Sequence, residues 1–555
     1  MLTLPSVGRK LFAAFTLLVS SSLVISTTAP AHAVSNEFYD AASAKVDYRA
    51  TPVHSSFNCA SLVGRRDAAA RIVRAYIVPA NRFTPSYCDV RGVIVPRIQV
   101  EVALPLAWNQ RLYVFGNGGF AGEPLDRSDR LQQVTVAINN GFAVAQTDTG
   151  HQDNAYGVLD GSWALNRPDL VVDYAYRAIH ETNVEAKKLV RLFYSHNVEY
   201  AYFNGCSDGG REAYEEAQKF PDDFDGIVGA AVFAAGIDTN IDGIWALQHI
   251  LPLNFTVGKF RTIGAADVAK CDALDGDVDG IIGDPRRCHF SATKDVRRCV
   301  GQSDADSCLT AAEAAAYDKG LGSPVISNGR PYFPRYPSGP EANDGFVGIF
   351  LPYIVNKHVL APAAGLVFAE EFARYIFPFP ASGNYFTVQN FNFDTGPARV
   401  GPARRVLNAL SPDIAPFLHR GGKMITYTGW ADPLINPYVS VGYYENVART
   451  LGEGIGSSFR LFMVPGMHHC SGGPGADAID AMTSVIDWTE RGIAPAAIIA
   501  HKFTPTGTLV PSFTRKLCPY PQEARYVGSG INKATSFRCI DEGLRGVPDT
   551  PIHEE

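Results

Sequence analysis

The chain has 555 residues, 46% of them hydrophobic and 19% charged, with a formal net charge of −7 at pH 7. A chain of this length and composition can bury a substantial core and is expected to form two lobes. Its mildly acidic balance leaves no electrostatic footprint for nucleic acid, and no basic groove is expected.

The first feature in chain order is a leader. Arg9 and Lys10 precede the apolar run Leu11 to Ile25, which is short for a membrane span, and Ala31-His32-Ala33 fits a small-x-small cleavage pattern. Residues 1–33 are therefore read as a signal peptide, against the competing reading of an uncleaved anchor, with the mature chain starting near Val34. No later run approaches 18 apolar residues, so a soluble protein, periplasmic or secreted and free of membrane, is expected. Export also changes how the ten cysteines are read, because an oxidising compartment favours disulfides over thiols or zinc. Short separations suggest the local pairs Cys59–Cys88, Cys271–Cys288, Cys299–Cys308 and Cys518–Cys539, which leaves Cys206 and Cys470. Spacing alone does not fix this connectivity.

Next comes "RLYVFGNGGFAG", a strand over Leu112 to Phe115 running into Gly116-Asn117-Gly118-Gly119. By itself this is a plain glycine turn. Further on, "NVEYAYFNG" alternates apolar and polar residues and predicts a strand, "GREAYEEAQKF" predicts a helix ending at Pro221, and "FDGIVGAAVF" predicts a second buried strand. Between the first strand and the helix stands Gly205-Cys206-Ser207-Asp208-Gly209, which fits the G-x-S-x-G turn that exposes a nucleophilic serine. Glycine-rich turns are common in α/β proteins, so this pattern needs partners.

Far more chain than one helix and one strand require separates Ser207 from the next such motif, and residues 236–408 are read as an inserted domain lying over the serine as a lid. Its stretch "CDALDGDVDGIIGDPRRC" clusters Asp272, Asp275, Asp277 and Asp279. Four carboxylates this close repel unless a cation neutralises them, and hard oxygens at alternate positions suit calcium. An EF-hand is excluded, since Arg286 stands where the bidentate glutamate belongs. The lid also holds the aromatic run "RYIFPFPASGNYFTVQNFNFD", read equally as core or as pocket wall.

Past the insertion, "GGKMITYTGWADPLI" predicts a strand over Lys423 to Thr428 ending near Asp432, and "FRLFMVPGMHHCSGG" a strand over Phe459 to Val464 ending near His468 and His469. Open α/β sheets place their sites just past strand C-termini. The order Ser, Asp, His is that of the α/β-hydrolases. A bridge between Cys206 and Cys470 would pin the serine turn to the histidine turn, which favours His469 over His468 as the base.

"GCSDGGRE", "GGKMITYTGWADPLI" and "VPGMHHCSGG" together closely resemble the tannase and feruloyl esterase family of secreted α/β-hydrolases, which includes hydrolases of mono-hydroxyethyl terephthalate. The resemblance runs through most of the mature chain. It implies an α/β-hydrolase fold in two parts, residues 34–235 and 409–555, around the large inserted lid. It implies Ser207 as nucleophile, His469 as base, Asp432 as the acid orienting it, and a Cys206–Cys470 bridge beside them. By the logic of such sites, the oxyanion donors are expected to be the N–H groups of Asp208 and of Gly119, with Gly118 close behind. For the acidic loop the resemblance implies a structural Ca²⁺ held by the side chains of Asp272, Asp275 and Asp279 and the carbonyls of Asp277 and Ile281.

The expected activity is that of a serine carboxylic-ester hydrolase acting on small esters of aromatic acids. Gallate, hydroxycinnamate and terephthalate esters remain open, because the lid sets acyl choice. Arg374 and Arg399 are read either as ligands for a substrate carboxylate or as surface charges. An acyltransferase, or a binding protein on a hydrolase fold, are the alternatives.

Overall fold

The computed structural model describes residues 37–546 apart from residues 56, 66–69, 154–155, 302–304, 327–328, 356–358, 377–385 and 505–509. The expected signal peptide thus lies outside the described residues.

Nine strands make the central sheet: β1 (Ala70–Val78), β2 (Tyr87–Ile94), β3 (Ile98–Pro105), β4 (Arg111–Phe115), β5 (Ala143–Thr147), β6 (Tyr200–Cys206), β7 (Gly226–Ala230), β8 (Lys423–Gly429) and β9 (Phe459–Val464). Their order across the sheet is β9-β8-β7-β6-β4-β5-β3-β2-β1. From β5 to β9 all neighbours are parallel. From β5 outward through β3 and β2 to β1 they are antiparallel. The inner parallel strands are covered on both faces, and every residue of β5 and β7 is buried. β1 is an edge, and its burial is interrupted by exposed residues.

Side-chain alternation divides the core in two. Phe203 and Ile227 point into one apolar layer, with α2 (Ala178–Tyr194) and α3 (Asp208–Lys219). Their neighbours Tyr202 and Val228 point into the other, with α1 (Ser128–Asn139). The first layer runs on without a break into the inserted segment.

That insertion leaves the sheet after β7 and returns at β8, and it adds no strand to the sheet among the described residues. It carries α4 (Gly236–Ile250), α5 (Val257–Cys271), α6 (Ala311–Gly320) and α7 (Ala364–Glu371). Phe386, Phe391 and Phe393 of its aromatic run are buried, Phe393 packing edge-on to Trp245 at 5.0 Å. These three are core of the inserted segment, while residues 377–385 of the run lie outside the described residues. The chain then adds α8 (Tyr438–Leu451) and α9 (Ala481–Arg491) to the two faces. It ends in two hairpins, β10 (Ile498–Phe503) with β11 (Pro511–Leu517) and β12 (Glu523–Tyr526) with β13 (Phe537–Ile540). The last part of the chain therefore does more than complete the sheet.

Five disulfides join Cys59–Cys88, Cys206–Cys470, Cys271–Cys288, Cys299–Cys308 and Cys518–Cys539. Strand order reverses at β4, whose neighbours are β5 on one side and β6 on the other. The crevice at such a switch point, outside the strand C-termini, is where an α/β sheet holds ligands. The fold is that of an α/β-hydrolase.

Candidate active site

Ser207 stands between β6 and α3 at φ 65° and ψ −118°, a backbone region that residues with a Cβ rarely adopt. The surroundings hold it there. Ser207 N–H donates to Ala230 O at 2.9 Å, Phe233 N–H to Ser207 O at 3.1 Å, and Gly209 N–H to Asn117 O at 2.7 Å. A Cβ on Gly205 would sit 2.3 Å from Gly209 O, and one on Gly210 would sit 2.5 Å from Ala230 O. Only glycine at both positions lets the helix start this close to the sheet.

Asp432 follows β8 and is fully buried. Its Oδ1 accepts from the N–H groups of Leu434 and Ile435, both at 2.9 Å, and its Oδ2 lies 2.8 Å from His469 Nδ1. The carboxylate is held by the turn it begins, and it selects the His469 tautomer with the proton on Nδ1. Nε2 is left as the basic atom. His468 turns away: its Nε2 lies 2.9 Å from the acceptor Ala342 O of the inserted segment, and burial pushes its pKa down. The Cys206–Cys470 bridge, with Cα atoms 6.0 Å apart, joins the residue before Ser207 to the residue after His469. No well-formed hydrogen bond links Ser207 Oγ to His469 among the described residues; such bonds are commonly long before substrate binds.

The turn after β4 faces the serine. Gly116 N–H donates to Asn204 O at 2.9 Å, Asn117 N–H to Glu212 Oε2 at 2.9 Å, Gly118 N–H to Glu123 Oε2 at 3.3 Å, and Phe120 N–H to Val158 O at 2.8 Å. Gly119 N–H donates to nothing among the described residues. Gly119 has φ 56°, and a Cβ there would lie 2.3 Å from Val158 O. Asp208 opens α3, so its N–H also lacks an intrahelical acceptor.

Sequence reasoning missed what stands behind this turn. Arg130 is fully buried and donates to Glu123 at 2.6 Å, Asn117 Oδ1 at 2.8 Å and Gln146 Oε1 at 2.6 Å. Glu212 accepts from both the backbone and the side-chain amide of Asn117, and burial pushes its pKa up to about 8. Asp208 Oδ1 accepts from Arg211 Nε at 2.7 Å and from the Tyr174 hydroxyl at 2.8 Å. Arginine and glutamate in "GGRE", on a helix against a buried sheet, were the available signal: buried charges must be paired.

The inserted segment meets the turns around the serine through Phe368 and Phe372. These rings pack on Phe120 at 5.1 and 5.2 Å and on Phe233 at 5.6 and 5.8 Å. Phe120 follows the Gly119 turn and Phe233 donates its N–H to the Ser207 carbonyl, so the inserted segment and the site share one apolar contact. Arg374 pairs with Glu370 at 2.6 Å and donates to Phe386 O at 2.8 Å, whereas Arg399 is exposed.

In the acidic loop, carboxylate oxygens of Asp272, Asp277 and Asp279 lie within 4.8 Å of one another. Asp277 Oδ1 is buried and accepts no hydrogen bond among the described residues. Asp279 accepts from Arg515 of β11, and Asp272 Oδ1 from the N–H groups of Asp279 and Gly280 at 3.2 and 3.1 Å. Asp275 stands outside this triplet: its Oδ1 accepts from Asp277 N–H at 3.2 Å. Burial, reinforced by the neighbouring carboxylates, raises Asp275 to about 7 and Asp277 to about 6. An all-oxygen cluster with one orphaned buried carboxylate oxygen fits a hard divalent cation.

Known proteins are similar to this chain in sequence and in fold. The family model for tannase and feruloyl esterase matches residues 84–540. The mono(2-hydroxyethyl) terephthalate hydrolase of Piscinibacter sakaiensis is 32% identical over 535 residues, covering 85% of this chain and 87% of that protein. Feruloyl esterase B of Aspergillus niger is 29% identical over 462 residues, covering 79% and 83%. Among solved structures, feruloyl esterase B from Aspergillus oryzae superposes with a TM-score of 0.75 at 25% identity, covering 86% of this chain and 98% of that one. With a serine elbow, a buried acid and an oriented histidine on a sheet matched over this length, the chain belongs to the tannase and feruloyl esterase family and is a carboxylic-ester hydrolase.

Proposed function

We propose that this protein hydrolyses esters of aromatic acids through an acyl-enzyme on Ser207. His469 Nε2 takes the hydroxyl proton as Ser207 Oγ bonds to the ester carbonyl carbon. The N–H groups of Gly119 and Asp208 receive the oxyanion. Collapse breaks the bond to the alcohol, which leaves with the proton from His469. A water then adds to the acyl carbon, giving its proton to His469, and Ser207 departs with that proton. Asp432 keeps His469 in the tautomer that can do this and stabilises the imidazolium.

One linkage carries the reading: buried Asp432 holds His469 at 2.8 Å, and the Cys470–Cys206 bridge carries that histidine's turn to the serine. The relatives named for feruloyl and terephthalate esters support an aromatic acyl group. Pairing of Arg374 with Glu370 inside the lid favours an acyl group without a free carboxylate. In the acidic loop, Asp272, Asp277 and Asp279, with Asp275 and the Ile281 carbonyl beside them, would hold Ca²⁺, whose role is to neutralise the cluster and fix the lid. Five disulfides support export to the periplasm or beyond, where an oxidising compartment keeps them formed.

The test is a panel of galloyl, hydroxycinnamoyl and terephthaloyl esters, run with and without added alcohol. Free acid is the expected product, formed fastest from an uncharged aromatic ester. A serine-directed phosphonate should label the protein and fail on Ser207→Ala. Hydrolysis by Ser207→Ala at the parent rate would sink the assignment.

A further inference from the structure

Behind the turn after β4, three rings stand in a row that the chemistry above does not use. His151 stacks on Trp163, with centroids 3.8 Å apart and planes 20° from parallel, and Trp163 leans on Tyr174 at 5.5 Å. Both ends of the row reach the turn. His151 Nε2 lies 2.9 Å from Phe120 O, and the Tyr174 hydroxyl lies 3.1 Å from Gly119 O, the preceding carbonyl. The same hydroxyl lies 2.8 Å from Asp208 Oδ1. One phenol thus touches both residues whose N–H groups form the proposed oxyanion hole, although they follow different strands.

The phenol itself is fixed. Tyr174 is buried on the π-helical turn Asp173–Arg177, just before α2, a helix irregularity that recurs at functional sites. Arg211 lies over its ring at 4.7 Å and donates to its backbone carbonyl at 3.0 Å, and the same guanidinium donates to Asp208. The single hydroxyl proton is shared between a carboxylate oxygen at short range and a carbonyl at longer range. The Asp208 bond is the stronger. The Gly119–Phe120 peptide is then gripped at both ends, its carbonyl by Tyr174 and its N–H by Val158 O.

We propose that Tyr174 is a positioning residue of the oxyanion hole, its phenol tying the Asp208 side chain to the Gly119 carbonyl and so setting the separation and aim of the two N–H donors. This rests on the assignment of Ser207 as nucleophile and of Gly119 and Asp208 as donors. The two donors belong to loops that no disulfide joins. A displacement of ~1 Å at a reacting centre can cost ~10²-fold in rate, so a direct tie between them has a purpose that core packing lacks.

The experiment uses Tyr174→Phe in the full-length protein. Turnover should fall ~10–100-fold with KM within about threefold. Affinity for an aryl boronate, which forms a tetrahedral adduct on the serine, should fall by a like factor, while inhibition by the product carboxylate stays unchanged. Tyr214→Phe is the control: that buried tyrosine bonds Thr426 Oγ1 at 3.2 Å, away from the turn, and its loss should leave turnover at the parent value. Unchanged turnover in Tyr174→Phe, or equal weakening of boronate and carboxylate, overturns the proposal. If Tyr174→Phe does not fold, Trp163→Phe serves, with a smaller loss of the same selective kind expected and an unselective loss or none overturning it. Phosphonate labelling separates the two levels. A parent protein that resists labelling refutes the nucleophile, whereas a labelled parent with an indifferent Tyr174→Phe refutes only the positioning role.

Discussion

Two disulfide-pinned regions of this molecule gather carboxylates, and they balance the charge in opposite ways. Around Ser207 each buried acid has donors from the chain itself. Asp432 has two backbone N–H groups and His469, Asp208 has Arg211 and Tyr174, and Glu212 has both amides of Asn117. In the loop closed by Cys271–Cys288, Asp272, Asp277 and Asp279 face one another, Arg515 answers one of them, and Asp277 Oδ1 is left buried and unbonded. In the first region the donors come from the chain, with Asp208 Oδ2 the one oxygen of these three acids left buried and unbonded. On the proposed reading a bound cation supplies the charge that the second region lacks, and its binding would then couple to stability there.

The widest break in that comparison comes at the triad. Ser207→Ala and His469→Ala should each lower turnover by ~10⁴-fold or more at unchanged melting temperature. His468→Ala, which loses its contact with Ala342 O and none with Asp432, should keep activity within about tenfold. A dead His468→Ala beside an active His469→Ala would reverse the assignment of the base.

Removing the bridge between the two catalytic turns comes next. Cys206→Ala with Cys470→Ala should cost ~10²-fold in turnover, because it frees two turns that must stay in register. Cys59→Ala with Cys88→Ala, far from the crevice, should cost less activity at matched loss of stability. Equal losses would reduce Cys206–Cys470 to a stabilising crosslink.

Chelation addresses the second region. With calcium at a hundredfold excess over its Kd, removal should withdraw about 3 kcal/mol of stability. The melting temperature should drop while turnover well below it stays near its former value. Asp277→Asn should weaken the ion, since the buried oxygen that lacks a partner is the one changed. Identical melting curves with calcium and with chelator would remove the ion from the account.

The smallest effect is a pH dependence behind the oxyanion turn. Burial pushes His151 down to about 4 from an ordinary 6.5, so the folded protein binds fewer protons than the unfolded chain between those values. Stability from this group is present above pH ~6.5 and is lost as pH falls toward ~4, by about 3 kcal/mol at most. His151→Gln, which keeps a donor for Phe120 O without titrating, should flatten that part of the curve. An unchanged slope in thermal unfolding between those pH values would mean that other groups set it.

Much of the frame was legible before any coordinates. Strand, tight glycine turn and helix around Ser207 follow from alternation, from Gly205 and Gly209, and from Pro221, all local signals. The strand over Phe459–Val464 runs as its sequence predicts, and β8 extends one residue further to Gly429. What escaped was anything that depended on direction in space. "HHC" does not say which ring turns to the acid and which to the lid. Four aspartates in one loop do not say that Asp275 leaves the cluster while Asp277 joins it. The charges of "GGRE" gave no hint that they pair with the turn after β4 and the turn before α2.

The amino-acid sequence by itself determined the period of each element, the places where only glycine fits, the order of serine, acid and histidine, and enough motif to place the chain in its family. Those are properties of neighbours along the chain, set by backbone sterics and by which face of a strand or helix is apolar. Tertiary structure alone decided the convergence: His469 on Asp432, Phe368 and Phe372 over the crevice, and Tyr174 between Gly119 and Asp208. The physical reason is range. A hydrogen bond acts over about 3 Å, so its partner is known only once the sheet order and the packed layers have brought distant residues within reach.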